Sequence, residues 1–351
     1  MIPDASFPVS RVPGPVSQLV IQTSFLGDMV LTTPLIAHLA ASGPVDVLAT
    51  PTAATLLANN PYVRETIAYD KRGADSGARG FVRLARALRE REYAAAYLAQ
   101  GSVRSGALAA AGGIPERIGF STSAGSRFYT VRVSYIENTH HSARLLSLAT
   151  RDPARDMPRA ALRPRLYPGP TERDAVDQVL GADTGEPIVA LAPGSVWATK
   201  RWPYFAELAR VLRDVARVVV VGSDADRALA EEIIGAAKGQ GVDATGRLSL
   251  LASADLIGRA ALLVTNDSAP LHLASAMNTA TIAVFGPTVP EFGFGPLAES
   301  STVVGHDDLA CRPCDRHGPQ RCPLGHWRCM REISPEQVAG LARSLITRGS
   351  D

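Results

Sequence analysis

One pattern constrains this chain more than any other: short apolar runs alternate with longer amphipathic stretches, from Leu19 almost to the C-terminus. A strand buried on both faces of a parallel sheet reads as a continuous apolar run, and a crossover helix must follow it. The alternation therefore predicts β-α units, and with them an α/β fold. Strands are expected over residues 19–23, 45–49 and 94–100, with helices over 28–41 and 78–92. Pro34 lies within the first of these helices, which is expected to kink there or to begin later. A second series places strands at 187–191, 217–221, near Val242, at 261–265 and at 281–285. Its helices fall at 203–215, 225–238, 250–259 and 270–277. The Pro- and Arg-rich stretch 152–170 between the two series is a linker candidate.

Two Rossmann-like domains of similar size are expected, over 18–165 and 171–335, with a disordered leader over 1–17 and a C-terminal helix over 336–351. The 351 residues carry 36 Lys+Arg against 34 Asp+Glu, a net charge of +2. That near-balance argues against a dedicated nucleic-acid binder, which usually presents a strongly basic face. No apolar run reaches the roughly 18 residues that a membrane-spanning helix needs. The leader lacks a basic start and an apolar core, so it is not a signal peptide, and a cytoplasmic protein is expected.

In open parallel sheets, ligands bind where the carboxyl ends of strands meet helix amino termini, so the turns after strands are the places to search. Four turns carry unusual chemistry. In Ser24-Phe25-Leu26-Gly27-Asp28 the glycine permits a tight turn, and Asp28 is either a helix cap or a carboxylate at the mouth of the sheet. In the turn 193–203, Ser195, Lys200 and Arg201 precede a helix, where amides and cations can hold a diphosphate. Asp224, in Val221-Gly222-Ser223-Asp224, can accept from ribose hydroxyls or cap a helix. In the turn 265–272, Pro270 suits an early helical position, so the amides of Ser268 and Ala269 are free for phosphate oxygens. Asp267 there suits sugar hydroxyls, and His272, taken alone, reads as a packed helix histidine.

Taken together, Gly27-Asp28, Arg117-Ile118-Gly119-Phe120, Pro193-Gly194 with Lys200-Arg201-Trp202-Pro203, Thr265-Asn266-Asp267-Ser268 with His272, and Phe285-Gly286-Pro287-Thr288 form a set. The chain resembles the ADP-heptose:lipopolysaccharide heptosyltransferases, glycosyltransferase family 9, over about residues 19–338, and most closely the heptosyltransferase II type. The resemblance implies a GT-B architecture, with two Rossmann-like domains facing a cleft. The first would bind the acceptor and the second the nucleotide-sugar. It implies inverting transfer of heptose from ADP-heptose to lipid-linked inner-core lipopolysaccharide, at the inner face of the inner membrane and without a cofactor.

By family position Asp28 is the base and Lys200 the catalytic phosphate contact. Ser195, Asp224, Asp267, Ser268, Ala269 and His272 contact the donor, and Gly27 and Arg117 the acceptor. Two positions depart from the family pattern. Ala269 stands where a glycine usually follows the hydroxyl residue, and Asp224 is one methylene shorter than the glutamate of some members. The rival readings are another GT-B nucleotide-sugar transferase and a nucleotide-sugar-binding protein without catalysis.

Two features remain. Arg79, Arg83, Arg86 and Arg89 recur at helical spacing, as a solvated face or as a stripe for acceptor phosphates or an anionic membrane surface. All four cysteines, Cys311, Cys314, Cys322 and Cys329, fall in the loop 311–329, similar to a segment of the type II members. They read as a structural zinc site, or less readily an iron-sulfur site, or as a reduced packed loop.

Overall fold

The structure, a computed structural model, describes residues 16–152, 157–238 and 240–348. The expected leader thus lies outside the described residues, apart from Val16 and Ser17. Among the described residues twelve strands form two six-stranded sheets, and every pairing is parallel. The first sheet holds β1 (Gln18–Gln22), β2 (Val45–Ala49), β3 (Glu65–Ala68), β4 (Ala95–Leu98), β5 (Glu116–Phe120) and β6 (Val131–Val133), in the order β3-β2-β1-β4-β5-β6. The second holds β7 (Ile188–Ala192), β8 (Arg217–Val220), β9 (Val242–Asp243), β10 (Leu262–Asn266), β11 (Thr281–Phe285) and β12 (Ser301–Gly305), in the order β12-β11-β10-β7-β8-β9. Renumbered within its own lobe, the second sheet repeats the doubly wound order of the first. Each reverses direction beside its first strand, between β1 and β4 and between β7 and β10, and a crevice opens at such a switch point.

The first lobe carries α1 (Leu26–Ala40), α2 (Pro51–Ala54), α3 (Gly77–Glu90), α4 (Val103–Ala111) and α5 (His141–Thr150). Between the lobes lies α6 (Arg159–Leu162), inside the expected linker. Then follow α7 (Pro170–Leu180), α8 (Phe205–Leu212), α9 (Arg227–Ala236), α10 (Leu250–Arg259), α11 (Ala269–Met277), α12 (Arg328–Arg331) and α13 (Pro335–Arg348). The central strands β1, β2, β7 and β10 are buried at every residue but Ile188, and their largely apolar runs also bury Gln18, Gln22, Asp46 and Asn266. α1 packs on both α5 of its own lobe and α11 of the other, so one apolar core runs from sheet to sheet.

α1 begins at Leu26 and passes through Pro34, a difference from the later start considered above. Proline removes the amide that would bond the carbonyl of Val30. The Thr33 hydroxyl donates to that carbonyl at 2.8 Å instead, which accounts for a proline in mid-helix. Four strands carried no expectation: β3, β5, β6 and β12. Three of them are sheet edges, partly exposed, and so lack a long apolar run.

Phe285 ends β11 fully buried and packs with Leu271 of α11 and Ala283, which ties the helix behind the cleft to the sheet. Phe285→Ala should destabilise the protein by about 3–5 kcal/mol, read as a lowered urea midpoint at unchanged slope.

Candidate active site

The turns after β1, β7 and β10 meet at the two switch points and enclose a cavity of about 400 Å³ between the lobes. The first lobe contributes residues 24–28, Tyr135 and His141. The second contributes residues 195–197, Lys200, 267–269, His272, Phe292, Phe294, Arg316 and His317. Ser195, Asp267, Ser268, Ala269, His272, Lys200, Gly27 and Asp28 are thus brought together, although the sequence separates them by up to some 240 positions.

Asp28 sits in the first turn of α1, where its carboxylate is favoured by the free amides. Its Oδ2 accepts from the Ser24 hydroxyl at 2.5 Å and from the Phe25 amide at 3.4 Å. It is therefore a cap and also a cavity residue, its side chain 18% exposed. Its Oδ1 lies 3.8 Å from His141 Nε2. Burial raises the Asp28 carboxyl above the usual carboxylate range, against the opposing effects of Ser24, His272, the Phe25 amide and His317.

Burial pushes His141 down to about 3 and His272 down to about 4, so both rings are neutral near pH 7. The Nδ1 atoms of both are buried without a hydrogen-bond partner among the described residues. A Cβ on Gly27 would lie 2.6 Å from His272 Cδ2, which is why α1 can approach α11 only with glycine there.

Across the cavity, Lys200 is 8% exposed and its Nζ lies 2.5 Å from Asp267 Oδ2. The same oxygen accepts from Thr288 at 2.7 Å, and the ammonium lies 5.3 Å from the Trp197 ring centre. Asp267 was expected to face sugar hydroxyls; in this structure it neutralises Lys200. Ser268 is the N-cap of α11 but makes no side-chain cap bond; Pro270 has no amide hydrogen and the Leu271 amide donates to the Ser268 carbonyl, which leaves the amides of Ser268 and Ala269 to face the cavity. Arg201 turns away, both its Nε and Nη2 donating to the Ser195 carbonyl.

Two expected contacts are not brought here. Arg117 enters β5 at its opening end, and its guanidinium donates to the carbonyls of Ile114, Pro115 and Phe128. Asp224 pairs with Arg227 at 2.8 Å with its side chain 79% exposed, outside the cavity lining.

The cysteines do not assemble the expected zinc set. Among the described residues, no three or more His, Cys, Asp or Glu side chains are placed to hold a metal ion. Cys314 Sγ donates to the Cys311 carbonyl, Cys311 Sγ lies 3.9 Å from His326 Nε2, and Cys329 is buried beside Met330. Burial pushes the Cys329 thiol up to about 11, which keeps it protonated.

Several participants carried no sequence expectation. Asn266 is fully buried, donating to the Pro193 carbonyl and accepting from the Trp202 amide, and so it locks two of the turns together. Phe25, Trp197 and His317 meet across the cleft with ring centres 5.4–6.0 Å apart. His141 is positioned by the hydrogen bond that its backbone N–H donates to the Gly293 carbonyl of the second lobe. In the sequence the pair His140-His141 stands out in the acceptor half, where the family that the chain resembles carries a histidine, but it suggests no role there.

Removing one member of a buried ion pair strands the other. Lys200→Met should therefore cost about 3–5 kcal/mol in chemical denaturation, with most of that recovered in Lys200→Met/Asp267→Asn.

The sequence profile of glycosyltransferase family 9 (heptosyltransferase) matches residues 81–325. The chain is 30% identical over 308 residues to lipopolysaccharide heptosyltransferase 2 of Escherichia coli K12, covering 82% of this chain and 87% of that one. It is 28% identical to lipopolysaccharide heptosyltransferase 2 of Salmonella typhimurium LT2, covering 94% and 98%. The structure of E. coli ADP-heptose lps heptosyltransferase II superposes with a TM-score of 0.80 at 27% identity, over 96% of this chain and 100% of that one. A glycosyl transferase family 9 structure from Veillonella parvula shares the fold, with a TM-score of 0.83 at 21% identity over 95% and 98%. With two doubly wound lobes in the GT-B arrangement and a profile match over most of its length, the chain belongs to glycosyltransferase family 9, the heptosyltransferases.

Proposed function

We propose that this chain transfers a heptose from ADP-heptose to the inner core of lipopolysaccharide, with inversion, using Asp28 as general base. The observation that carries the reading is the placement of Asp28. One of its oxygens is held within its own turn, and the other is left toward a cavity whose far wall holds Lys200 and the open amino terminus of α11. The acceptor hydroxyl lies in the first lobe beside Gly27, and its proton passes to Asp28 as the new glycosidic bond forms. The bond to ADP breaks on the opposite face of the sugar. This transfer balances without a cofactor.

Charge grows on the departing diphosphate. Preorganised donors aimed at such charge supply much of the rate in this class of chemistry. The α11 amides at Ser268 and Ala269 receive the phosphate oxygens, with Ser195 and His272 at the margins of the donor site. Lys200 is already paired with Asp267, so on donor binding its ammonium is shared between that carboxylate and the leaving phosphate. The donor thus occupies the second lobe and the acceptor the first.

Among the described residues no helix is long and apolar enough to cross a membrane. On this reading the enzyme is cytoplasmic and docks peripherally at the inner face of the inner membrane, where its lipid-linked acceptor lies. The exposed side chains of Arg79, Arg83, Arg86 and Arg89 on α3 are suited to its phosphates.

Mass spectrometry of a purified inner-core acceptor incubated with enzyme and ADP-heptose should show the gain of one heptose. ADP should stabilise the protein against heat more than UDP or GDP. Asp28→Asn should lower kcat by about 10²–10⁴ with ADP stabilisation retained; retained turnover would move the base elsewhere. Because burial raises the Asp28 carboxyl, kcat/KM should fall on acidification through a limb above the ordinary carboxylate range.

A further inference from the structure

The Ser24 hydroxyl has more acceptors than it has hydrogens. Its Oγ lies 2.5 Å from Asp28 Oδ2 and 2.6 Å from Gln22 Oε1, and one O–H serves only one of them at a time. Which end of Gln22 faces Ser24 is settled by the backbone. The Ser24 amide donates to the same Oε1 at 3.2 Å, so that atom is the carbonyl oxygen, and the amide nitrogen donates to Thr32 Oγ1 at 3.2 Å. Gln22 is 1% exposed and Thr32 fully buried, which leaves the Gln22 side chain no room to turn away. Thr32 in turn donates to the Asp28 carbonyl, closing a ring of bonds around the turn.

We infer that Ser24 is a positioning residue whose hydroxyl donates to Asp28 while the carboxylate is ionised and turns to Gln22 Oε1 once Asp28 has taken a proton. The inference rests on the reading of Asp28 as base. An ionised carboxylate is the stronger acceptor, so it holds the Ser24 hydrogen in the resting state. This leaves Oδ1 free to receive the acceptor's proton. When that proton arrives on Oδ1, the acid's Oδ2 becomes an ordinary carbonyl oxygen and the hydroxyl hydrogen rotates to Gln22. No proton leaves Ser24. Gln22 thereby lowers the cost of protonating Asp28, whereas Ser24 by itself raises it.

The two residues should consequently have opposite effects, a signature that a merely structural role does not produce. The charged and titratable groups facing Asp28 are His141 from α5, His272 from α11 and His317 from the loop after β12. The Lys200–Asp267 pair and Arg316 lie across the cavity. None of these is altered by the variants below.

The experiment is the pH profile of kcat/KM, with melting temperature recorded in parallel, for the full-length enzyme and its Ser24→Ala, Ser24→Thr, Gln22→Met and Asp28→Asn variants. Ser24→Ala should move the acidic limb to higher pH by about one unit, the equivalent of losing a tenfold preference for the ionised form. Gln22→Met should move it to lower pH and reduce kcat. Ser24→Thr, which keeps the hydroxyl, should return the limb to its original place and so separates the hydroxyl's role from misfolding. Limbs that move in the same direction in Ser24→Ala and Gln22→Met, or that stay in place in both, would overturn the inference while an inactive Asp28→Asn leaves the base assignment standing. Full activity in Asp28→Asn would remove both together.

Discussion

The site exists because two helices from different lobes approach closely at one point. α1 and α11 each start at the carboxyl end of a central strand, and their first turns are pressed together where Gly27 lies against the His272 ring. Any side chain at residue 27 would push the ring away, and with it the amino terminus of α11. The seam continues through α5, whose Arg144 donates to the Phe292 carbonyl and whose His141 amide donates to the Gly293 carbonyl. A carboxylate on one lobe and an amide-lined helix end on the other therefore share one cavity. Neither lobe could build that arrangement alone.

The electrostatics follow from how little water reaches this seam. Buried histidines lose their charge, so His141 and His272 act as neutral walls beside Asp28. The buried Lys200 side chain is paired with Asp267, whose Oδ2 also accepts from Thr288. The same physics operates away from the site. Asp46, a buried residue of β2, is held by both Nε and Nη2 of Arg64 and by the Tyr93 hydroxyl. Asp46 is thus met by donors at both of its oxygens. Asp28 is different, because among the described residues its Oδ1 has no donor within hydrogen-bond distance, His141 Nε2 lying 3.8 Å away.

Much of the fold was legible because central parallel strands are buried on both faces, and continuous apolar runs such as 19–23 and 261–265 announce them. The edge strands β3, β6 and β12 were not, since half-exposed strands tolerate charge and polar residues. The candidate site was legible where a chemical type was tied to a turn after a strand, as with Asp28, Lys200 and Ser268. It was misleading where a motif served the scaffold. Arg117 sits at the opening end of its strand, where its donors meet backbone carbonyls, and Asp224 answers Arg227 on the surface. The cysteines show the same limit, because spacing along the chain says nothing about which thiols the core will absorb.

Local order thus settled the central strands and several of the helices that follow them, the doubling of one α/β unit, and the residue types offered at each strand end. These depend on burial periodicity and turn chemistry within a few residues. Only the tertiary structure decided that Asp267 would meet Lys200, that His141 would stand over Asp28, and that Gln22 and Asp28 would compete for one hydroxyl. Such pairings are set by where whole lobes come to rest. The free energy that places them is spread over a core shared by both sheets and carries no local mark in the sequence.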